Sequence, residues 1–244
     1  AYNVRLQNII KAAYAQTGRE VVVLIDEYDA PMHDSMKSPD LQEQIRNAMR
    51  NLFSPLKGEE RHLRFVFLTG ISKFSQLSIF SELNNITNIS MLDKYSDICG
   101  ISRNELVSIF KADIRELANE NEMTYDEALS ELQHHYDGYH FSGRGEDVYN
   151  PYSLFNTLAS NEFDDYWFST GTPTFLIDLL QEKHLDMLDL DDITATADRF
   201  DTPTEKIIDP VPVLYQSGYL TIKAYNRRSK IFKLGFPNTE VKTG

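Results

Sequence analysis

The segment Val21-Val22-Val23-Leu24-Ile25-Asp26-Glu27, continued by Tyr28-Asp29-Ala30-Pro31, decides how the rest of the chain is read. Its first five residues are apolar and four of them are β-branched, the composition of a strand buried on both faces inside a parallel sheet. Two carboxylates follow at the carboxyl end of that strand, where open α/β sheets place their ligands. A hard cation such as Mg2+ takes oxygen donors, and Asp26 is placed to hold one directly or through water. Glu27 has the chemistry to orient and polarise a water that attacks a terminal phosphate, a reaction governed by positioning and charge neutralisation. The plainer reading is a buried strand whose end carries two solvated acids.

This is the pattern of a Walker B strand, and the flanking sequence suits it. Residues 4–16 carry Val4, Ile9, Ala12 and Ala13 among polar positions, which predicts an amphipathic helix leading through Thr17-Gly18 into the strand. Residues 39–57 predict another helix, with Pro39 near its start and then Leu41, Ile45, Ala48, Met49 and Leu52. Leu63 to Thr69 predicts a second strand, ending in Gly70-Ile71-Ser72-Lys73. Strand, helix, strand at this spacing is a right-handed parallel crossover. A third short strand is expected at Ile86–Leu92, after the polar Asn84-Asn85 turn.

From Ser102 the character changes. Ser102 with Glu105 is a capping box that opens a helix to about Asn121, and Thr124 with Glu127 opens another to about Tyr136. These two helices are expected to form a lid. Asp137-Gly138-Tyr139 is a turn, Ser142-Gly143-Arg144-Gly145 a loop, and Asn150-Pro151-Tyr152 the start of a helix. A helix after Pro173, an acidic loop at Asp186–Asp192 and a helix near Pro210–Ser217 follow. Tyr219–Tyr225, the polar turn Asn226–Ser229 and Lys230–Leu234 alternate as a β-hairpin. Helices followed by a hairpin are the order of a winged-helix domain.

With 244 residues and 28.1 kDa, the chain has room for one large or two small domains. Hydrophobic residues make up 41%, as in soluble globular proteins, and no apolar run approaches the ~20 residues of a membrane helix. No secretory signal opens the chain. Cys99 is the single cysteine, which excludes a disulfide framework or thiolate zinc site and fits the reducing cytoplasm. The first residue is Ala1 and helical periodicity begins at once, as expected of an internal fragment. A net charge of −13 excludes a nucleic-acid footprint over the whole surface but leaves room for a local basic patch.

The chain resembles the bacterial AAA-ATPase-like proteins, P-loop NTPases near the STAND and archaeal-type ATPases that commonly carry a C-terminal nuclease-like domain. The residues that carry the likeness are Val21–Pro31, Phe67–Phe74, Ser78–Asn85, Tyr136–Phe141, Tyr149–Ser153, Tyr215–Thr221 and Leu234–Val241. The resemblance implies an α/β fold: a truncated P-loop core (1–101), a helical lid (102–148) and a winged-helix-like domain (149–244). It also implies ATP with Mg2+ as cofactors and nucleotide hydrolysis used as a switch, with Asp26 metal-directed and Glu27 activating water. No Gly-x-x-x-x-Gly-Lys-[Ser/Thr] occurs in the 244 residues. In the family that loop precedes the helix with which this chain begins, so the phosphate cradle is expected upstream.

Other residues are candidates by position. Thr69 ends the strand beside Asp26, where related ATPases keep a γ-phosphate sensor; a strand-end threonine bonding its own backbone is the alternative. Lys73 offers positive charge to phosphates, or is a solvated loop lysine. Asp29 is a supporting acid or a cap for the turn at Pro31. Arg103 opens the lid, where related proteins often bring in an arginine. His134 and His135 are adjacent and point about 100° apart on a helix, which disfavours a shared metal. Glu240-Val241-Lys242 has no Pro-Asp partner upstream and is set aside as a nuclease half-motif. Lys223, Arg227, Arg228, Lys230 and Lys233 carry no acid among them, so the hairpin is a candidate DNA grip, or simply a packing element. The expectation is a switch ATPase in a longer protein, with ATP, DNA and a second copy of the chain as partners and no membrane. The alternative is a non-hydrolysing protein- or DNA-interaction module on the same scaffold.

Overall fold

Helices dominate a mixed α/β chain whose described residues hold three small sheets. The structure is a computed structural model and describes residues 2–35, 38–73, 85–169, 190–202 and 209–243. The helix expected after Pro173 and most of the Asp186–Asp192 loop lie outside those residues. Two compact units emerge, Ala1–Thr87 with Thr202–Ile208, and Asn88–Asp201 with Asp209–Gly244. No described helix is long and apolar enough to cross a membrane.

In the first unit, α1 (Tyr2–Thr17) stops at Gly18, whose φ of +63° suits a residue without Cβ and whose N–H bonds Tyr14 O at 2.8 Å. Strand β1 (Val21–Ile25) is followed by α2 (Ala30–Asp34), α3 (Pro39–Phe53), α4 (Pro55–Gly58) and β2 (Leu63–Leu68). The two strands pair in parallel, from Val22 opposite Phe65 to Ile25 opposite Leu68. Ile10, Met32, Met49, Phe53 and Leu56 form the core, with Val21, Val23, Ile25 and Val66 packed on it.

Burial on both faces of β1 is corrected. Side chains alternate along a strand, and the described helices pack on the face carrying Val21, Val23 and Ile25. On the other face Val22 is 52%, Leu24 69% and Phe65 53% exposed. The approach to β2 is pinned by Glu59, which is 3% exposed. Its carboxylate accepts from Gln7 Nε2 at 2.6 Å, meets His62 Nδ1 at 2.6 Å and pairs with Lys11 at 3.2 Å. These contacts, Gln7 foremost, lower its pKa to about 2.

The strand expected at Ile86–Leu92 is also corrected. That stretch turns instead, with Ser90 N–H on the Asn88 side chain at 3.0 Å and Leu92 N–H on Ile89 O at 3.1 Å. Short polar side chains that bond the nearby backbone compete with a ladder, and Asn88 does so here.

The second unit opens with β3 (Ile101–Ser102), antiparallel to β4 (Val148–Tyr149). Both capping boxes form, at Ser102 with Glu105 and at Thr124 with Glu127. The single helix expected from Ser102 to Asn121 is two helices, α5 (Arg103–Ile109) and α6 (Lys111–Glu120). The break falls at Phe110, whose ring packs 5.6 Å from that of Phe155. Helix α7 (Tyr125–Tyr136) packs with α6 and α8 (Pro151–Ser160) around Leu106, Ile114, Leu117, Leu132 and Leu154. Asn150 caps α8 by accepting from Tyr152 N at 2.9 Å. A short α9 (Tyr166–Ser169) follows.

The hairpin is present as β6 (Thr221–Asn226) and β7 (Ile231–Gly235). Its turn is held by Asn226 Oδ1, which accepts from the N–H groups of Arg228 and Ser229. A strand not anticipated in the sequence, β5 (Ile193–Thr196), pairs antiparallel with the far side of β7. Phe200, Val213, Leu214, Ile222, Phe232 and Leu234 are buried around this sheet.

Candidate functional site

Parallel pairing sets the ends of β1 and β2 side by side, so the residues after Ile25 and Leu68 meet. Thr69 N–H bonds Ile25 O at 2.9 Å, and Tyr28 N–H bonds Thr69 O at 3.0 Å. This register aims the Thr69 hydroxyl at Asp26, to whose Oδ1 it donates a hydrogen bond. The same carboxylate oxygen accepts the Glu27 N–H at 2.9 Å. Asp26 and Glu27 both face solvent. Glu27 has φ +50°, a left-handed conformation uncommon without glycine, and it turns the chain sharply off the strand.

Asp29 lies in a different environment, only 1% exposed. Its Oδ1 accepts from Ile71 N at 3.2 Å and its Oδ2 from Ser72 N at 2.5 Å, with His33 Nε2 2.9 Å away. Tyr28 Oη donates to Ser72 O at 2.9 Å. Lys73 follows this loop directly and is half-buried. The structure therefore joins Asp26, Glu27, Thr69 and Asp29 into one constellation, with Lys73 at the end of its second loop. Tyr28, His33 and Gly70 were not singled out in the sequence. The signal for His33 is its spacing four residues after Asp29 on a helix.

Arg103 belongs to the second unit, where its Nη1 donates to Gln133 Oε1 at 2.7 Å. Nearby is a cleft of about 570 Å³ lined in part by His134, Asp137, Asp147, Asp191 and Lys223. Most of its charges are engaged: Asp147 with His140 at 2.7 Å, Asp191 with Lys242 at 2.8 Å, and Lys223 with Pro237 O at 3.2 Å. Asp137 is 7% exposed, and burial pushes its carboxyl above the usual range. Glu240 is fully buried and accepts from Ser153 Oγ on both oxygens and from Trp167 N; burial raises its carboxyl as well. Of the five hairpin cations, Lys233 pairs with Asp192 at 2.6 Å and Lys223 is engaged as above. Arg227, Arg228 and Lys230 stand exposed at the tip, without an ion pair among the described residues.

Among the described residues no three of His, Cys, Asp and Glu converge as a closed metal site. A hydrated Mg2+ needs only one or two carboxylates and keeps several waters, which the exposed Asp26 and Glu27 suit. Residues 1–80 match the model of a family described as predicted AAA-ATPase. An uncharacterized protein in the vnfD 5′ region of Azotobacter chroococcum mcd 1 is 38% identical over 240 residues, which is 98% of this chain and 44% of that relative. The chain thus spans less than half the length of the curated relative it matches. No solved structure matches. The match over residues 1–80 supports an AAA-ATPase-like family for the segment that holds Asp26, Glu27 and Thr69.

Proposed function

We propose that residues 1–73 are the acid-bearing part of an ATPase-like domain that binds and hydrolyses Mg-ATP as a switch within a longer protein. One observation carries this reading: a threonine hydroxyl bonds an exposed aspartate at the aligned ends of two parallel strands, with a second exposed carboxylate next to it. The oxygen donors suit a hydrated Mg2+, whereas the 244 residues contain no glycine-rich lysine loop to cradle phosphates. Bound Mg-ATP supplies a terminal phosphate whose charge the metal neutralises. Asp26 holds the hydrated cation, and Thr69 fixes the Asp26 carboxylate in one orientation. Glu27 accepts a hydrogen bond from the attacking water and polarises it. Lys73 adds positive charge, and an Arg103→Ala variant decides whether Arg103 serves the nucleotide at all. In this reading residues 102–148 act as a lid and 149–244 as a winged-helix-like domain.

The test is calorimetric titration with Mg-ATP and a phosphate-release assay on the protein in its natural full length. Micromolar binding with steady turnover is expected, against neither for the 244-residue chain alone. A natural full-length protein that neither binds nor hydrolyses overturns the reading. The exposed tip cations favour one further role, contact with duplex DNA. Changing Arg227, Arg228 and Lys230 together to Ala should flatten the salt dependence of DNA binding by about one slope unit per lost contact. Unchanged affinity leaves the hairpin as a packing element.

A further inference from the structure

Between β1 and the second loop there is more hydrogen bonding than either loop needs for its own turn. Asp29 is sealed from solvent, yet it lies three residues beyond the exposed Asp26. Both of its carboxylate oxygens are spent on the backbone N–H groups of Ile71 and Ser72. His33, one helical turn further on, holds the carboxylate from behind at 2.9 Å. Tyr28 closes the loop from the other side through Ser72 O. Gly70 completes the fit, because a Cβ there would collide with Asp29 Oδ1. Thr69, immediately before this clamped loop, is the residue that bonds Asp26.

We propose that Asp29 is a positioning residue: it latches the Gly70–Ser72 loop to the end of β1, and so fixes Thr69 against Asp26 and sets where Lys73 begins. It acts on the reacting groups through the loop and touches neither nucleotide nor metal. A carboxylate suits the task because it accepts two adjacent N–H groups at once, and charge-assisted bonds of this kind are strong. The latch rests on the ATPase reading for its consequence, but its geometry is independent of it.

The experiment pairs two variants that disturb the latch by unrelated means, in the protein at its natural full length. Asp29→Asn replaces one acceptor oxygen with a donor that opposes a backbone N–H. Gly70→Ala changes no charge and pushes a methyl group against Asp29. Gly58→Ala, where an added Cβ meets nothing within 4 Å, is the control. Amide hydrogen exchange at Ile71 and Ser72 should accelerate at least tenfold in both variants and stay unchanged in the control. Mg-ATP turnover should fall about tenfold in kcat with KM within about twofold, and the double variant should be no worse than the poorer single one, because both changes break one element. A simple loss of folded protein would instead add in the double variant. Unchanged exchange overturns the latch. Accelerated exchange with unchanged kcat overturns the positioning role and leaves a structural clamp. A wild-type protein with no turnover overturns the ATPase reading, and the positioning role with it, while the exchange data still report on the clamp.

Discussion

The acids at the end of β1 and those inside the second unit are the same chemical groups put to opposite uses. Asp26 and Glu27 stand in water, one bonded to a threonine and the other on a left-handed turn. Asp137 and Glu240 are buried, without an ion pair among the described residues, and desolvation raises both carboxyls. An exposed carboxylate costs the fold little and remains open to a cation. A buried one is costly, so it persists where the surrounding donors make it part of the architecture, as Ser153 and Trp167 do for Glu240. The first pair is therefore a candidate for chemistry, and the second for scaffolding.

The sharpest way to break this contrast is kinetic. Glu27→Gln keeps size but loses the charge that polarises water, and turnover by the full-length protein should fall by roughly 10²–10⁴. Glu240→Gln should leave turnover unchanged. A Glu27→Gln variant with wild-type turnover removes Glu27 from the chemistry. Thermal unfolding should invert the ranking. Ser153→Ala deprives both oxygens of Glu240 of a hydroxyl and should cost roughly 1–3 kcal/mol, because a buried polar group loses a partner. Asp26→Asn, exposed, should stay within about 0.5 kcal/mol. A large loss for Asp26→Asn with none for Ser153→Ala would mean that the two roles are reversed.

What the sequence could disclose follows the same line. The acids after β1, both capping boxes, the Asn150 cap and the hairpin with its Asn226 turn were legible, because each depends on residues close together in the chain. The juxtaposition of Thr69 with Asp26 required only parallel pairing of two strands. The exposure of Val22 and Leu24 was not legible: an apolar run has the same composition whether one face or two are covered. Phe110, at the break, meets Phe155 forty-five positions away, and β5 gains its strand by pairing with β7. The Asp29 latch was hidden for the same reason, since its N–H donors come from the far end of the crossover.

The pH dependence of stability should also separate buried acids by the sign of their shift. Glu59 is lowered from 4.5 to about 2, so the stability it contributes is full above 4.5 and is lost as pH falls toward 2. Gln7→Ala removes the leading cause and should flatten that acid limb of a melting-temperature profile. Glu240 is shifted upward, so its contribution is full below its ordinary range and is lost as pH rises through its raised value. Glu240→Gln removes this contribution, and its melting temperature relative to wild type should climb as pH rises above 4.5. A constant difference would show that burial does not hold the Glu240 proton.

The smallest expected effect asks whether Glu27 is where it is for the fold or for the chemistry. At φ +50° an L side chain is held in a conformation that glycine adopts freely. A carboxylate facing water gains nothing in packing from that position, so the local backbone is less comfortable with glutamate than it need be. Two terms oppose one another on Glu27→Gly. Relief of the left-handed conformation favours the folded state by roughly 1 kcal/mol, while the freer unfolded chain costs about as much or slightly less. The net change in unfolding free energy should lie between zero and about +0.5 kcal/mol in the direction of greater stability, whereas turnover should be lost as completely as in Glu27→Gln. Ala at the same position keeps the strain and lacks the charge, so it should match the glycine variant in turnover and fall slightly below it in stability. Denaturant unfolding of the three proteins side by side makes the comparison. If glycine destabilised the first unit by more than about 1 kcal/mol, the Glu27 side chain would be holding the end of β1 together, and its place there would need no catalytic reason.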